Sequence, residues 1–133
     1  MTEHTLRIAR LSHDLRGIAF AAVEGEKAST WFVDGALPGE IVTARITKQH
    51  ANRIEAQAIA ISEPSTSRVV PACQYVGQCG GCQLQHIDYA AQLNYKRDSV
   101  RHQLTKALGE SAVPEVQLLN AEAWAYRRRA RIS

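Results

Sequence analysis

The chain has 133 residues, 45% hydrophobic and 22% charged, with 16 basic against 13 acidic side chains and a formal charge of +3. That is the profile of a folded globular protein, with room for one domain or for a small domain and a piece of another; it is too short for a nucleic-acid-binding module together with a complete cofactor-binding α/β domain. The longest uninterrupted apolar run, Ile18 to Val23, is far below the roughly 20 residues of a membrane-spanning helix.

Residues 1–62 read as short strands separated by turns. Leu6 and Ile8 flank Arg7, and Ile18 to Val23 and Thr30 to Val33 are apolar runs. Val42, Ala44 and Ile46 alternate with Thr43, Arg45 and Thr47, the period of a half-buried strand. Ile54, Ala56, Ala58 and Ala60 alternate with Glu55, Gln57, Ile59 and Ile61, so the last strand is expected to be apolar on both faces toward its end. Turn chemistry at Arg16-Gly17, Glu24-Gly25, Asp34-Gly35 and Pro38-Gly39 separates the runs. Five strands with no helix between them predict a small five-stranded barrel, because closure protects edges that a small open sheet exposes.

Residues 63–87 are read as a linker, rich in Pro and Ser, leading into a cysteine-rich segment. Cys73, Cys79 and Cys82 are the three cysteines of the chain, and Gly80 and Gly81 separate the last two. An odd, clustered set of thiols points to metal or iron–sulfur ligation before disulfides. The glycines let the backbone turn tightly and let N–H groups approach the sulfurs. The bland reading is three small buried hydrophobes, and a redox Cys-x-x-Cys is a third. His86 could complete a Cys3His zinc site; otherwise it is a surface or capping residue and the fourth ligand lies elsewhere.

Residues 88–133 contain the predicted helix, Asp88 to Leu108. Tyr89, Leu93, Val100, Leu104 and Leu108 fall on one stripe, with Asp88 as N-cap and Gly109 as the stop. A strand-like stretch after Pro114 leads to Arg127, Arg128, Arg129 and Arg131, with which the sequence nearly ends. Residues 1–63 carry a net charge of −1 and residues 64–133 carry +4, so electrostatics favours a polyanion in the second half. In the first, Arg7, Arg10, Arg16, Arg45, Lys48 and Arg53 lie among Phe20, Trp31 and Phe32. That is the mixture of basic track and aromatic platform with which small barrels hold single-stranded nucleic acid, weighed against a solvated face with Trp31 and Phe32 in the core.

Cys73-Gln-Tyr-Val-Gly-Gln-Cys-Gly-Gly-Cys82-Gln-Leu-Gln-His86, followed by Tyr89-Ala-Ala-Gln-Leu93 and Lys96, resembles the iron–sulfur segment of bacterial 23S rRNA (uracil-5-)-methyltransferases. Leu11-Ser-His-Asp14, Arg16-Gly-Ile-Ala-Phe20 and Val33-Asp-Gly-Ala-Leu-Pro-Gly-Glu40 are similar to the OB-like TRAM domain that precedes it, and Tyr126-Arg-Arg-Arg-Ala-Arg131 resembles the opening of that family's α+β central RNA-binding domain. The resemblance implies S-adenosylmethionine-dependent methylation of a uracil at C5 and a [4Fe–4S] cluster, with Cys73, Cys79 and Cys82 as three of its four ligands.

In the family the nucleophile, the base, the donor-binding domain and the fourth cysteine lie downstream. The chain is therefore expected to be an inactive N-terminal portion, with S-adenosylmethionine bound only by the missing domain. Arg7, Arg10, Arg16, Arg127, Arg128, Arg129 and Arg131 are the expected RNA contacts, and 23S rRNA the expected partner. The expected state is a cytoplasmic monomer without membrane association, since Glu3, Arg7, Arg10, Asp14 and Arg16 interrupt the place of a signal core. The alternative is a stand-alone RNA-binding module with a structural Cys3His zinc site.

Overall fold

The computed structural model describes residues 3–23, 25–79 and 81–131. Glu24 of the expected Glu24-Gly25 turn, Gly80 of the cysteine segment and the terminal Ile132 and Ser133 lie outside the described residues. Two compact units divide between Asp88 and Tyr89.

The first unit is a six-stranded sheet rather than a five-stranded barrel. The strands are β1 (Glu3–Arg7), β2 (Arg10–Leu11), β3 (Gly17–Ala22), β4 (Ala28–Asp34), β5 (Ile41–Gln49) and β6 (Arg53–Glu63). They pair in the order β1-β5-β6-β4-β3-β2, all antiparallel except the parallel β4·β6 pair. The additional strand, β2, has two residues, too few for an alternation to show in the sequence. The expected closure is not found: β1 and β2 stand at the two ends of the pairing order. They are successive pieces of one stretch, and between them the Ile8 N–H donates to Glu40 O (2.9 Å) and the Ala9 N–H to Ile18 O (2.8 Å).

Strand parity builds the core. Leu6, Ala19, Trp31, Val33, Val42, Ala44, Ile54 and Ala56 face one another, with Ile8 and Ala36 joining from the connections. Trp31 is fully buried and its indole N–H donates to Ala21 O at 3.1 Å. The expected two-faced end of β6 resolves into a bulge. Ala44 pairs with Ala58 but Thr43 with Ala60 and Val42 with Ile61, so Ile59 is the extra residue and the inward parity passes to Ile61. Ile59 and Ala60 are exposed.

The second unit contains α1 (Tyr89–Leu108), ended by Gly109 at φ 84°, and a single 3-10 turn, Glu110–Ala112. None of the residues of α1 is buried, and on the expected apolar stripe Val100 and Leu108 are exposed. The strand expected after Pro114 is not formed: residues 113–131 carry no ladder pairing. Among the described residues no helix is long and apolar enough to cross a membrane.

Candidate functional site

On the face of the sheet opposite Trp31, ladder pairing sets side chains in rows. Arg10 pairs with Ile18, Ile18 with Phe32, Phe32 with Glu55 and Glu55 with Lys48, a row across five strands. Beside it, Phe20 pairs with Thr30 and Thr30 with Arg53. Phe20 is 60% exposed, which leaves an aromatic face open to solvent two strands from a guanidinium. Arg7 and Arg10 are exposed. Arg45 lies 3.6 Å from Glu3.

Arg16 is differently occupied. Its Nε donates to Asp14 (2.9 Å) and its Nη1 to Glu55 (3.1 Å), while the guanidinium sits 4.9 Å from the Phe32 ring centroid. The Ser12–Arg16 turn holds it there. The Ser12 hydroxyl donates to Asp14 and accepts the Arg16 N–H, and Leu15 takes φ 64°. Burial and the neighbouring Asp14 and Glu55 raise the Asp34 carboxyl, against the lowering effect of Arg16. Arg16 is thus the cation of a carboxylate cluster, which competes directly with any phosphate. Of the expected stacking residues, Trp31 is core, Phe32 is half-buried under Arg16, and Phe20 alone presents an open ring.

Arg127, Arg128, Arg129 and Arg131 are all exposed, and Trp124 (58%) and Tyr126 (65%) are exposed beside them. Four guanidiniums next to two aromatic faces form the second basic surface.

Cys73, Tyr75, Val76, Cys79, Cys82 and Gln85 line one small hollow. All three thiols are free, Cys73 half-buried and the others exposed. The Tyr75 N–H donates to Cys73 Sγ and the Gly81 N–H to Cys79 Sγ, each at 3.4 Å. Gln85, which the sequence did not single out, orients the loop by accepting the Cys73 N–H at 3.1 Å. Among the described residues no three His, Cys, Asp or Glu side chains converge closely enough to hold a metal ion. The thiols therefore share a hollow without forming a cage.

His86 does not line that hollow. Its Nε2 is buried without a hydrogen-bond partner, and burial together with nearby Arg68 holds the imidazole below its ordinary pKa. The Cys3His arrangement is thus not favoured by the geometry.

Residues 63–69, expected as linker, are instead anchored. Glu40, fully buried, accepts Arg68 Nε at Oε2 (2.7 Å) and Arg68 Nη2 at Oε1 (2.8 Å). It also accepts the Leu37 N–H (2.7 Å) and the Ser65 N–H (3.0 Å). Burial alone would raise the Glu40 carboxyl, but these donors outweigh it and hold it below its usual value. Sequence reasoning missed this pair, since nothing in a Pro/Ser-rich stretch marks one arginine as the partner of a carboxylate 28 positions away.

Residues 4–59 match the TRAM domain family, a range that runs from β1 into β6 of the sheet. Over 96% of its length the chain is 43% identical to the 23S rRNA (uracil(1939)-C(5))-methyltransferase RlmD of Pseudomonas fluorescens, and it covers 27% of that protein. Proteins of the same name from Chromohalobacter salexigens and Vibrio cholerae are 40% and 38% identical over 98% and 99% of the chain, which covers 26% and 29% of them. The chain is similar to these proteins over nearly all of its own length, and it spans about a quarter of the length of the curated relatives it matches.

Proposed function

We propose that the chain is the RNA-binding, cysteine-bearing portion of a S-adenosylmethionine-dependent 23S rRNA (uracil-C5)-methyltransferase. The observation that carries this reading is the 43% identity over 96% of the chain to a relative of that name, of which the chain covers 27%, with a TRAM domain match over residues 4–59. The RNA surfaces are the outer sheet face, with Arg7, Arg10, Lys48, Arg53 and the open ring of Phe20, and the run Arg127, Arg128, Arg129 and Arg131. Guanidiniums track phosphates while an exposed ring stacks a base, so the ligand class is single-stranded or looped RNA. Arg16 serves the turn that shapes this face rather than touching phosphate.

Cys73, Cys79 and Cys82 fit a [4Fe–4S] cluster in donor chemistry: three thiols on one hollow, two of them receiving backbone N–H groups. A bound cluster would supply iron–thiolate bonds tying three points of the loop together. The fourth ligand, the methyl-donor site, the nucleophile and the base are assigned to no residue of this chain.

Titrating a labelled 23S rRNA fragment at two ionic strengths tests the RNA reading. Affinity is expected to fall by roughly 0.7 to 0.9 log units per phosphate contact per log unit of salt, and a flat response overturns it. Chain purified without air is expected to be brown and to contain iron and sulfide, whereas colourless protein with stoichiometric zinc would favour the zinc module. Incubation with methyl-labelled donor and rRNA is expected to give no methylated uracil.

A further inference from the structure

The cysteine loop has a closed neck. The Val69 N–H donates to His86 O (2.9 Å), the Asp88 N–H donates to Ser67 O (2.8 Å), and Arg68 and Ile87 form an antiparallel bridge. Residues 67–69 and 86–88 therefore meet as a two-stranded stem, and Cys73, Cys79 and Cys82 all lie in the loop it closes. Within that loop Gly77 takes φ 94°, and most side chains are exposed, so the loop has little buried surface with which to fix its own position.

Ile87 of the stem is buried, and Arg68 fastens the stem to the sheet by hydrogen bonds. Besides its two bonds to Glu40, Arg68 donates through Nη2 to Gly35 O at 2.6 Å. The guanidinium thus grips both ends of the Gly35–Glu40 connection, whose Ala36 and Leu37 are buried in the core. Glu40 also takes the Ser65 N–H, so the approach to the stem is held from both sides of Arg68.

We propose that Glu40 and Arg68 are a positioning pair that sets the cysteine loop on the TRAM sheet, so that the sheet rather than the loop determines where Cys73, Cys79 and Cys82 are held. Two parallel N–H···O bonds from a planar fork define direction as well as distance, which a lysine ammonium cannot reproduce.

Amide exchange in the 133-residue chain separates positioning from general stability. In Arg68→Ala the stem amides of Val69 and Asp88 are expected to exchange about ten-fold faster or more, with the sheet amides of Ala44 and Ala56 within about two-fold of the parent. The half-buried Cys73 thiol should react several-fold faster with an aromatic disulfide reagent, and Arg68→Lys should restore part of both effects. A stem-to-sheet ratio of acceleration below about three-fold, through uniform loosening or through no change, overturns the proposal. Should Arg68→Ala not fold, the same ratio in Arg68→Lys decides.

Discussion

A Cβ on Gly17 would lie 2.9 Å from Ala36 Cβ and 3.0 Å from both Ala36 O and Ile8 Cγ2. The first strand after the Ser12–Arg16 turn can approach the Gly35–Glu40 connection only because that atom is missing. Gly17→Ala is therefore expected to lower stability by about 1–3 kcal/mol, the usual range for overpacking, read from urea unfolding. Single carboxylates also matter at this scale. The Glu40 pKa is depressed, so the stability it contributes is present above the ordinary carboxylate value of 4.5 and is lost as pH falls through the lower folded value.

Asp14 and Glu55 act in the same direction. For Asp14, burial is outweighed by the Ser12 hydroxyl and by Arg16; for Glu55, bonds from His50 and Arg16 outweigh burial. Asp34, raised by burial, acts oppositely. His86, lowered by burial and by Arg68, makes the unfolded chain the better proton binder just below pH 6.5, so loss of stability begins there. Thermal melts against pH should show a shallow decline from that point and a steeper one below about 4.5; in Glu40→Gln the second limb should flatten.

Among the elements, α1 and β6 show how far a hydrophobic pattern carries. The helix forms where the stripe, Asp88 and Gly109 predict it, because spacing and end signals are local. Burial of the stripe is not local, and Val100 is 47% exposed. Val100→Ala is accordingly expected to change stability by less than about 0.5 kcal/mol in this chain, measured by denaturant melts. In β6 the alternation holds from Ile54 to Ala58 and then shifts at the bulge, because the partner strand β5, not the β6 sequence, sets the register there. β2 escapes the sequence for a related reason: it is a strand only because β3 pairs with it.

For the whole molecule, function divides the basic side chains by what else they touch. Arg53, Arg10 and Arg16 look alike in sequence, yet only Arg16 is held by two carboxylates and a ring. Arg53→Ala and Arg10→Ala are expected to reduce the salt slope of RNA binding by about 0.7 to 0.9 each at unchanged stability. Arg16→Ala should instead cost about 1 kcal/mol of stability and leave the slope unchanged, which paired titrations and melts distinguish.

The sequence alone determined the β-rich first half, the helix of the second half, the clustering of three thiols and the resemblance to rRNA uracil methyltransferases. Each depends on local periodicity, turn chemistry or motif spacing, which the chain carries in linear order. The tertiary structure decided that the sheet has six strands in an open pairing order. It also decided that Arg16 is committed to carboxylates, that His86 does not line the thiol hollow, and that Arg68 grips Glu40 at the stem of the cysteine loop. Those outcomes depend on which distant groups share a buried space, where an unpaired charge is costly and a partner can come from anywhere along the chain.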